Sequence, residues 1–270
     1  DGGAQWTEVT PRGAPADMQW NALEASPFEA AGVYAVGTRY KRGDRRPYLY
    51  RSSDGGQSWK AIVDGIDPTH FTRALRADPA RRGVLYAGTE RGLYLSTDNG
   101  ERWRAFQLNL PQVPITDLAV RDGDLIAATQ GRGYWILDDL SPIAQDAGAG
   151  LKLYAPRVSH RLNASAVEKP RAAGTNPPPG SLVYFRLPRA ATADDALTLS
   201  FASLDGTPII SYTRKPSAEE LKDAKPVKGQ DLRQLPGAAG LNRYAWDGRW
   251  PAAEGFDGMV LWGDAALPGP

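Results

Sequence analysis

Two stretches of this sequence follow one pattern: SSDGGQSW over residues 52–59 and STDNGERW over residues 96–103. Both read S-x-D-x-G-x-x-W, and the aspartates stand 44 residues apart, at positions 54 and 98. Each stretch follows an apolar pair that is typical of a strand and precedes a further strand signal. A repeat in the forties is typical of a four-stranded propeller blade, so the pattern predicts consecutive blades of a β-propeller.

The motif, called the Asp box from here on, has the chemistry of a tight turn between two strands. Glycine accepts the positive φ that a corner requires. The aspartate carboxylate and the serine hydroxyl can bond backbone amides across the turn, and the tryptophan anchors the turn by apolar packing. Folding alone explains these residues, so we assign a structural role to Ser52, Asp54, Gly56, Trp59, Ser96, Asp98, Gly100 and Trp103.

The similarity between repeats continues outside the boxes. Residues 22–27 resemble residues 74–79, and residues 32–38 resemble residues 83–89. A third copy runs from residue 117 to residue 139, but the serine and the glycine of its box are lost, as is common in a terminal repeat. Its Asp138 and Asp139 form an acidic pair. Adjacent residues of a strand point to opposite faces, which argues against a shared acidic site.

The first six residues, DGGAQW, read as the end of another Asp box. We therefore expect a fragment of a larger chain, with about three blades plus a strand. A propeller has four to eight blades. The expected partners are the remaining blades, from another part of the same protein or from another chain.

Turn signals and composition divide the chain into three parts. Residues 1–148 are predicted to form the partial propeller, and residues 149–180 a connector with a proline-rich end. Short alternating strands return in residues 181–270, which predict an immunoglobulin-like β-sandwich that is itself truncated. The predicted fold class is all-β.

Composition excludes several classes of function. The formal net charge of +1 gives no electrostatic reason to expect nucleic acid as a partner. The chain contains no cysteine and no apolar run long enough for membrane insertion. The two histidines, His70 and His160, are too far apart in sequence to suggest metal ligation. No cofactor and no metal site are expected.

A basic insertion separates the second and third strands of the first repeat. It carries five basic residues and one acidic residue over residues 39–48, whereas the second repeat has a short turn there. Insertions in repeat proteins often map to a binding face, and arginine with tyrosine suits anionic or sugar ligands. The alternative is a solvated hairpin tip. The candidate binding residues are Arg39, Tyr40, Lys41, Arg42, Arg45 and Arg46.

The two boxes, together with residues 130–140 (QGRGYWILDDL), resemble the bacterial BNR/Asp-box repeat proteins related to sortilin, which are often labelled glycosyl hydrolases. Residues 176–180 and 240–247 look like the immunoglobulin-like domain that follows the propeller in that group. The resemblance implies a large exported protein, secreted or periplasmic, of which this chain is a late part.

Three functions remain open at this point. The leading hypothesis is an exported propeller that binds or scaffolds protein or glycan ligands. One alternative is a sialidase-like or xyloglucanase-like glycoside hydrolase with its active site mostly on absent blades, and another is an assembly factor for a membrane complex. No catalytic residue can be assigned from the sequence. Two carboxylates facing a central cleft would favour the hydrolase, and an apolar or basic central face would favour binding.

Overall fold

The computed structural model describes residues 2–145, 148–159, 180–192, 194–214 and 235–248. The chain divides into two compact units, Asp1–Leu140 and Ser141–Pro270, and each is described by itself. Strands dominate both units. The helical segments of the described ranges are a 3-10 turn at Tyr40–Arg42 and the short helix α1 (Ser141–Gln145). In these ranges no helix is long and apolar enough to cross a membrane.

The first unit begins with two antiparallel sheets of four strands, each in simple up-and-down order. The first blade consists of β1 (Gln19–Ala25), β2 (Val33–Arg39), β3 (Asp44–Ser52) and β4 (Lys60–Ala61). The second blade consists of β5 (Thr72–Ala77), β6 (Leu85–Thr89), β7 (Gly92–Ser96) and β8 (Arg104–Ala105). In both blades the Asp box connects the third strand to the fourth.

The third blade has three strands in the described residues: β9 (Ile115–Arg121), β10 (Asp124–Thr129) and β11 (Tyr134–Leu137). The turn after β11 departs from the Asp box, as the degenerate third copy predicts. Asp139 takes the left-handed conformation, with φ of 63°, and its amide donates to Oδ1 of Asp124 at 2.8 Å.

The first strands of the three blades lie next to one another, because β1 contacts β5 and β5 contacts β9. Among the described residues, β4 pairs with β3 alone and β8 pairs with β7 alone, each within its own blade. The main core fills the space between the first two sheets, where Val36 and Leu49 of one blade meet Leu75 and Trp103 of the next. The unit is therefore a partial β-propeller, with inner strands at the centre and short outer strands at the rim.

The second unit contains two small antiparallel sheets. One has the order β12 (Lys152–Leu153), β13 (Ser181–Leu187), β16 (Gly240–Trp246), and the other pairs β14 (Thr198–Ala202) with β15 (Pro208–Thr213). Both sheets contribute to one apolar cluster, in which Phe185 and Tyr244 of the first sheet meet Leu199 and Tyr212 of the second. The immunoglobulin-like topology and the domain bounds at residues 148 and 180 stay predictions.

Several expectations fall on residues that lie outside the described ranges. They are Asp1 of the incomplete Asp box at residues 1–6 (the half box), His160, most of the connector with its proline-rich end, and residues 215–234 and 249–270 of the predicted sandwich. Residues 7–9, where the half box predicts a strand, lie within the described ranges and pair with no strand there.

Candidate functional site

The two complete Asp boxes fold into the same hydrogen-bonded turn. In the first box the Ser52 hydroxyl donates to Oδ1 of Asp54 at 2.7 Å and accepts the Gly56 amide at 2.9 Å. Ser96 makes the same two bonds in the second box, to Asp98 and from Gly100, at the same distances. Each hydroxyl also accepts the amide of its box aspartate, at 3.3 Å in the first box and 3.4 Å in the second, so the turn closes without any external ligand.

The electrostatics of the box carboxylates fit this structural role. Hydrogen bonds from the hydroxyl and amide of Ser58, and then from Ser52, lower the pKa of Asp54 to about 2. Burial alone would raise the pKa of Asp98, but bonds from the Arg102 amide and the Ser96 hydroxyl bring it below its ordinary value. Both groups are carboxylates at neutral pH and act as acceptors for the turn.

The box tryptophan reaches back to the preceding repeat, which the sequence alone does not reveal. Nε1 of Trp103 donates to the carbonyl of Ile62 at 2.8 Å, and Nε1 of Trp59 donates to the carbonyl of Val9 at 2.7 Å. Ile62 stands three residues after Trp59, and Val9 stands three residues after Trp6. The correspondence aligns the half box at the start of the chain with the two complete boxes.

The basic insertion is ordered around two aspartates. Asp44 accepts bonds from Arg39 at 3.0 Å, from Arg46 at 2.9 Å and from the Tyr48 hydroxyl at 2.7 Å. The bonds from Arg46 hold the pKa of Asp44 well below its usual range. Asp17, 22 residues before Arg39, pairs with the same arginine at 2.7 Å.

The sequence predicts a loop over residues 39–48, but the observed loop is shorter. Strand β3 begins at Asp44 and includes residues 44–48. Arg42 also pairs with Asp17, at 3.2 Å. Three of the five cations thus have carboxylate partners. Lys41 and Arg45 are exposed and make no ion pair with another described residue.

Tyr40, which belongs to the basic insertion, packs against residues at the start of β5. Its ring stacks on Phe71 with centroids 5.0 Å apart and planes 10° apart. The guanidinium of Arg73 lies 5.6 Å from the Tyr40 centroid and 5.1 Å from that of Phe71. Nε of Arg73 also donates to Glu90 at 2.6 Å, so the cation is held in place on its aromatic support.

A polar pocket of about 310 Å³ opens beside this stack. All three inner strands contribute to its wall: Arg73 comes from β5, Thr116 from β9, and Gln19, Trp20 and Asn21 from β1. Thr38, Tyr40 and Phe71 complete the lining. The pocket is lined by two side-chain amides, two threonines, three aromatic residues and one cation. No carboxylate lines it, and the described residues contain no cluster of metal-binding side chains.

One structural irregularity, repeated three times, builds this pocket. In each blade the pairing between the first two strands slips by one residue, and the unpaired residue is Asn21 in β1, Arg73 in β5 and Thr116 in β9. Such β-bulges re-aim a side chain, and they are common next to functional sites. We call this pocket the bulge pocket.

The sequence did not predict any of the three bulge residues as part of a site, whereas Tyr40 was a predicted binding residue. Their signal lies in the repeat alignment, since they occupy the same place before the matching residues of the three inner strands. Of the six predicted binding residues only Tyr40 lines the bulge pocket, and the other five do not: Arg39, Lys41, Arg42, Arg45 and Arg46.

Two carboxylates of the inner strands share one arginine. Arg76 of β5 lies 3.4 Å from Glu24 of β1 and 2.9 Å from Asp117 of β9. The Ala77 amide donates to the second oxygen of Glu24 at 3.1 Å. Burial raises the pKa of Glu24 above its ordinary value, against the opposing effects of that amide and of Arg76.

Comparison with known proteins gives only distant matches. No family model and no curated protein matches the chain. Among solved structures, YCF48 bound to D1 peptide is 24% identical over 51% of this chain and 43% of its own, with a TM-score of 0.38. The GH74 enzyme of Niastella koreensis is 14% identical over 62% of this chain and 28% of its own, with a TM-score of 0.35.

A GH74 xyloglucanase from Xanthomonas campestris is similar to the same extent, at 14% identity over 63% of this chain and 29% of its own, with a TM-score of 0.33. The chain therefore spans less than half the length of each of these three proteins. At such identities and TM-scores the matches say nothing about function. The assignment to the propeller class rests on the repeated sheets described above.

Proposed function

We propose that this chain is part of a propeller-based binding protein that recognises a protein or glycan ligand, and that the bulge pocket holds one polar unit of that ligand. The supporting observation is the convergence of Asn21, Arg73 and Thr116, one bulged residue from each of three blades, on one pocket.

The chemistry of the pocket suits recognition better than hydrolysis. Amide and hydroxyl groups can donate and accept hydrogen bonds, and Trp20 and Tyr40 add aromatic rings to the wall. A sugar ring or a polar side chain presents matching hydroxyl, amide or carbonyl groups. Acid–base hydrolysis of a glycoside needs a pair of carboxyl groups at the reacting bond, and the pocket lining has none.

Gln19 and Asn21 allow a matched test. We expect Gln19→Ala and Asn21→Ala each to weaken ligand binding about tenfold, the loss of roughly one hydrogen bond. Gln57 is an exposed residue of the first Asp box outside the pocket, so Gln57→Ala should leave affinity unchanged. The measurement is a glycan array with the 270-residue chain, followed by titration of each hit with the three variants.

Protein ligands are sought in parallel by pull-down with the chain, and candidates are titrated with the same variants. A ligand bound equally well by Gln19→Ala, Asn21→Ala and Gln57→Ala would place recognition outside the bulge pocket. Absence of any ligand in both experiments would contradict the proposal. Export to a secreted or periplasmic location is part of the proposal and is tested by fractionation of the native cells.

A hydrolase is the second candidate, and Glu24 is the reason to test it. A carboxyl whose pKa is raised by burial is suited to act as a general acid, and Asp117 stands on the other side of Arg76. Against it, Arg76 separates the two groups and the Ala77 amide occupies one Glu24 oxygen. Hydrolysis of an array glycan that is abolished by Glu24→Gln would favour the enzyme over the binding protein.

A further inference from the structure

The hairpins that join the second strand of each blade to the third lie at the same end of the first unit as the bulge pocket. In the second and third blades the strand pair beside the bulge is also the pair beside the hairpin, Thr72 with Thr89 and Ile115 with Thr129. The first hairpin reaches the pocket directly, because Tyr40 lines it. The hairpin segments are residues 39–46, 90–91 and 130–133, and we call this end of the unit the hairpin end.

Exposed cations stand on all three hairpins. They are Lys41, Arg42, Arg45 and Arg46 in the first blade, Arg91 in the second and Arg132 in the third. The acidic residues of these segments are Asp44 and Glu90. Cations therefore outnumber carboxylates on the hairpins.

The carboxylates near the hairpins are bound by the protein itself. Asp44 and Asp17 hold arginines of the first hairpin, as described above. Glu90 lies 2.5 Å from Nη2 of Arg73. Asp67, in the loop before β5, accepts the amide and the hydroxyl of Thr69 at 2.8 and 2.6 Å. What remains for a ligand at this end is positive charge.

The opposite end of the unit differs in charge. The Asp boxes lie there, beside the turns between the first and second strands, since the Gly55 amide donates to the Ala31 carbonyl and the Asn99 amide to the Gly83 carbonyl. The box aspartates stand at that end, as do further aspartates of the third blade, at positions 122 and 138. A polyanion is therefore favoured at the hairpin end.

Two cations flank one aromatic ring of the bulge pocket. The guanidinium of Arg73 lies 5.6 Å from the Tyr40 centroid, and Nζ of Lys41 lies 5.9 Å from the same centroid. Nε and Nη2 of Arg73 both engage Glu90, and Nη1 makes no bond to another described residue. A guanidinium has five N–H donors, so an arginine held along one edge can offer the other edge to a second carboxylate. Tyr40 thus joins the pocket and the cations of the first hairpin into one surface.

We propose that the ligand of the bulge pocket is an acidic polysaccharide. This inference rests on the binding function proposed above. One acidic sugar lies in the pocket with its carboxylate toward Arg73, and the sugars on either side contact exposed cations of the hairpins, among them Lys41 and Arg45.

The pocket wall suits a polysaccharide better than an acidic protein. Among the described residues, no leucine, isoleucine, valine or methionine lines it. The core of a protein–protein interface is usually apolar, whereas a uronic acid presents hydroxyl and carboxylate groups around its ring. Cations spread over three blades also suit a polymer with one charge on each sugar.

Binding of matched polymers tests the class of ligand. Polygalacturonate carries a carboxylate on every sugar, and its methyl ester has the same backbone without the charge. At low salt the 270-residue chain should bind at least one of polygalacturonate, alginate and hyaluronate in biolayer interferometry. The methyl ester should bind at least about tenfold more weakly than polygalacturonate, and raising the salt from about 20 to about 300 mM should weaken binding of the acidic polymers.

Three results would overturn the proposal. They are no binding of any of the three acidic polymers, equal binding of polygalacturonate and its ester, and tighter binding of polyglutamate or of a single-stranded oligonucleotide than of the acidic polysaccharides.

A pair of double variants tests the surface. Lys41→Gln with Arg45→Gln should weaken binding of the acidic polymer about three- to tenfold and flatten its salt dependence. Arg102→Gln with Arg121→Gln removes the same charge from the opposite end, where both side chains are 81% exposed, and should leave the affinity unchanged. Equal losses in the two double variants would show attraction to the overall charge of the chain and contradict a site at the hairpin end.

The pocket variants separate this inference from the proposed function. A neutral glycan or a protein whose binding is weakened by Asn21→Ala, with no acidic polymer bound, would overturn the acidic polysaccharide and leave the pocket as a binding site. Binding of an acidic polymer that both Gln19→Ala and Asn21→Ala leave unchanged would contradict the role of the pocket in either proposal.

Discussion

Among single residues, the box tryptophan is the most informative, because the same residue in the same turn is buried to a different extent in each repeat. Trp103 is buried against the first blade, Trp59 is half-buried against residues before β1, and Trp6 is exposed. The turn that presents the indole is local, but the surface that receives it belongs to the preceding repeat. The burial of the indole in the two complete boxes therefore depends on residues that lie before its own blade.

The exposure difference predicts different losses of stability. Trp103→Ala should lower the free energy of unfolding of the first unit by about 3–5 kcal/mol, because it removes a large buried side chain and leaves a cavity. Trp59→Ala should cost less than half as much, since its indole is only partly buried. Urea unfolding followed by far-ultraviolet circular dichroism measures both, and equal losses would show that Trp103 is not the main junction anchor.

At the scale of the element, the β2–β3 hairpin is held by a carboxylate rather than by turn chemistry alone. Gly43 closes the 3-10 turn with φ of 78°, and Asp44 then ties Arg39, Arg46 and Tyr48 together. The local charge of +4 counted from sequence is thus partly neutralised by Asp17, which comes from a segment before β1. Arg42 and Arg46 stay exposed although each is paired with a carboxylate, and Lys41 and Arg45 are the exposed cations of the hairpin without an ion pair to another described residue.

Asp44→Asn should loosen this hairpin. We expect a loss of roughly 1–2 kcal/mol, because the arginines keep one neutral acceptor in place of a charged one. Amide hydrogen exchange of residues 39–46 should speed up with it. Asp122→Asn is the matched control, since Asp122 is highly exposed, pairs only loosely with Arg121 at 4.0 Å, and has a left-handed φ that asparagine accepts. Equal effects of the two changes would refute a special role for Asp44.

The three β-bulges of the inner strands act together. Each displaces one residue from the strand pairing at the same place in three inner strands, and together they gather Asn21, Arg73 and Thr116. A single bulge would be a local irregularity. Three in register make a shared pocket, because the inner strands of consecutive blades are neighbours.

At the scale of the whole molecule, the carboxylates set the acid limit of stability. The pKa of Asp54 is lowered from 3.8 to about 2, and those of Asp44, Asp67, Asp98 and Glu101 are also lowered by the hydrogen bonds they accept. A folded-state pKa below the unfolded value means that the unfolded chain binds more protons as the pH falls. Glu24, with a raised pKa, acts in the opposite direction.

We therefore expect the stability of the first unit to be nearly constant above about pH 5 and to fall between about pH 4 and pH 2. Urea midpoints measured from pH 7 to pH 2 test this. Asp54→Asn should reduce the steepness of the acid limb, because asparagine cannot titrate. Stability that rises on acidification through this window would mean that groups such as Glu24 dominate.

The sequence by itself determined the repeat, the turns and the alignment of the half box with the complete boxes. Those features rest on hydrogen bonds and glycine conformations within about eight residues, as between Ser52 and Gly56, so a short motif is enough to encode them. Most strand positions of the first unit follow because each turn separates two apolar runs, but β3 begins at Asp44, inside the predicted insertion.

Only the tertiary structure decided where the box tryptophans pack, which cations of the insertion are neutralised, and which residues form the pocket. Trp103 bonds to Ile62, 41 residues away, and Arg39 pairs with Asp17 across another turn. Arg73 and Thr116 line one pocket because two bulged strands lie side by side. Such contacts depend on how repeats stack and on where pairing slips by one residue, and neither is written in a local spacing of residue types.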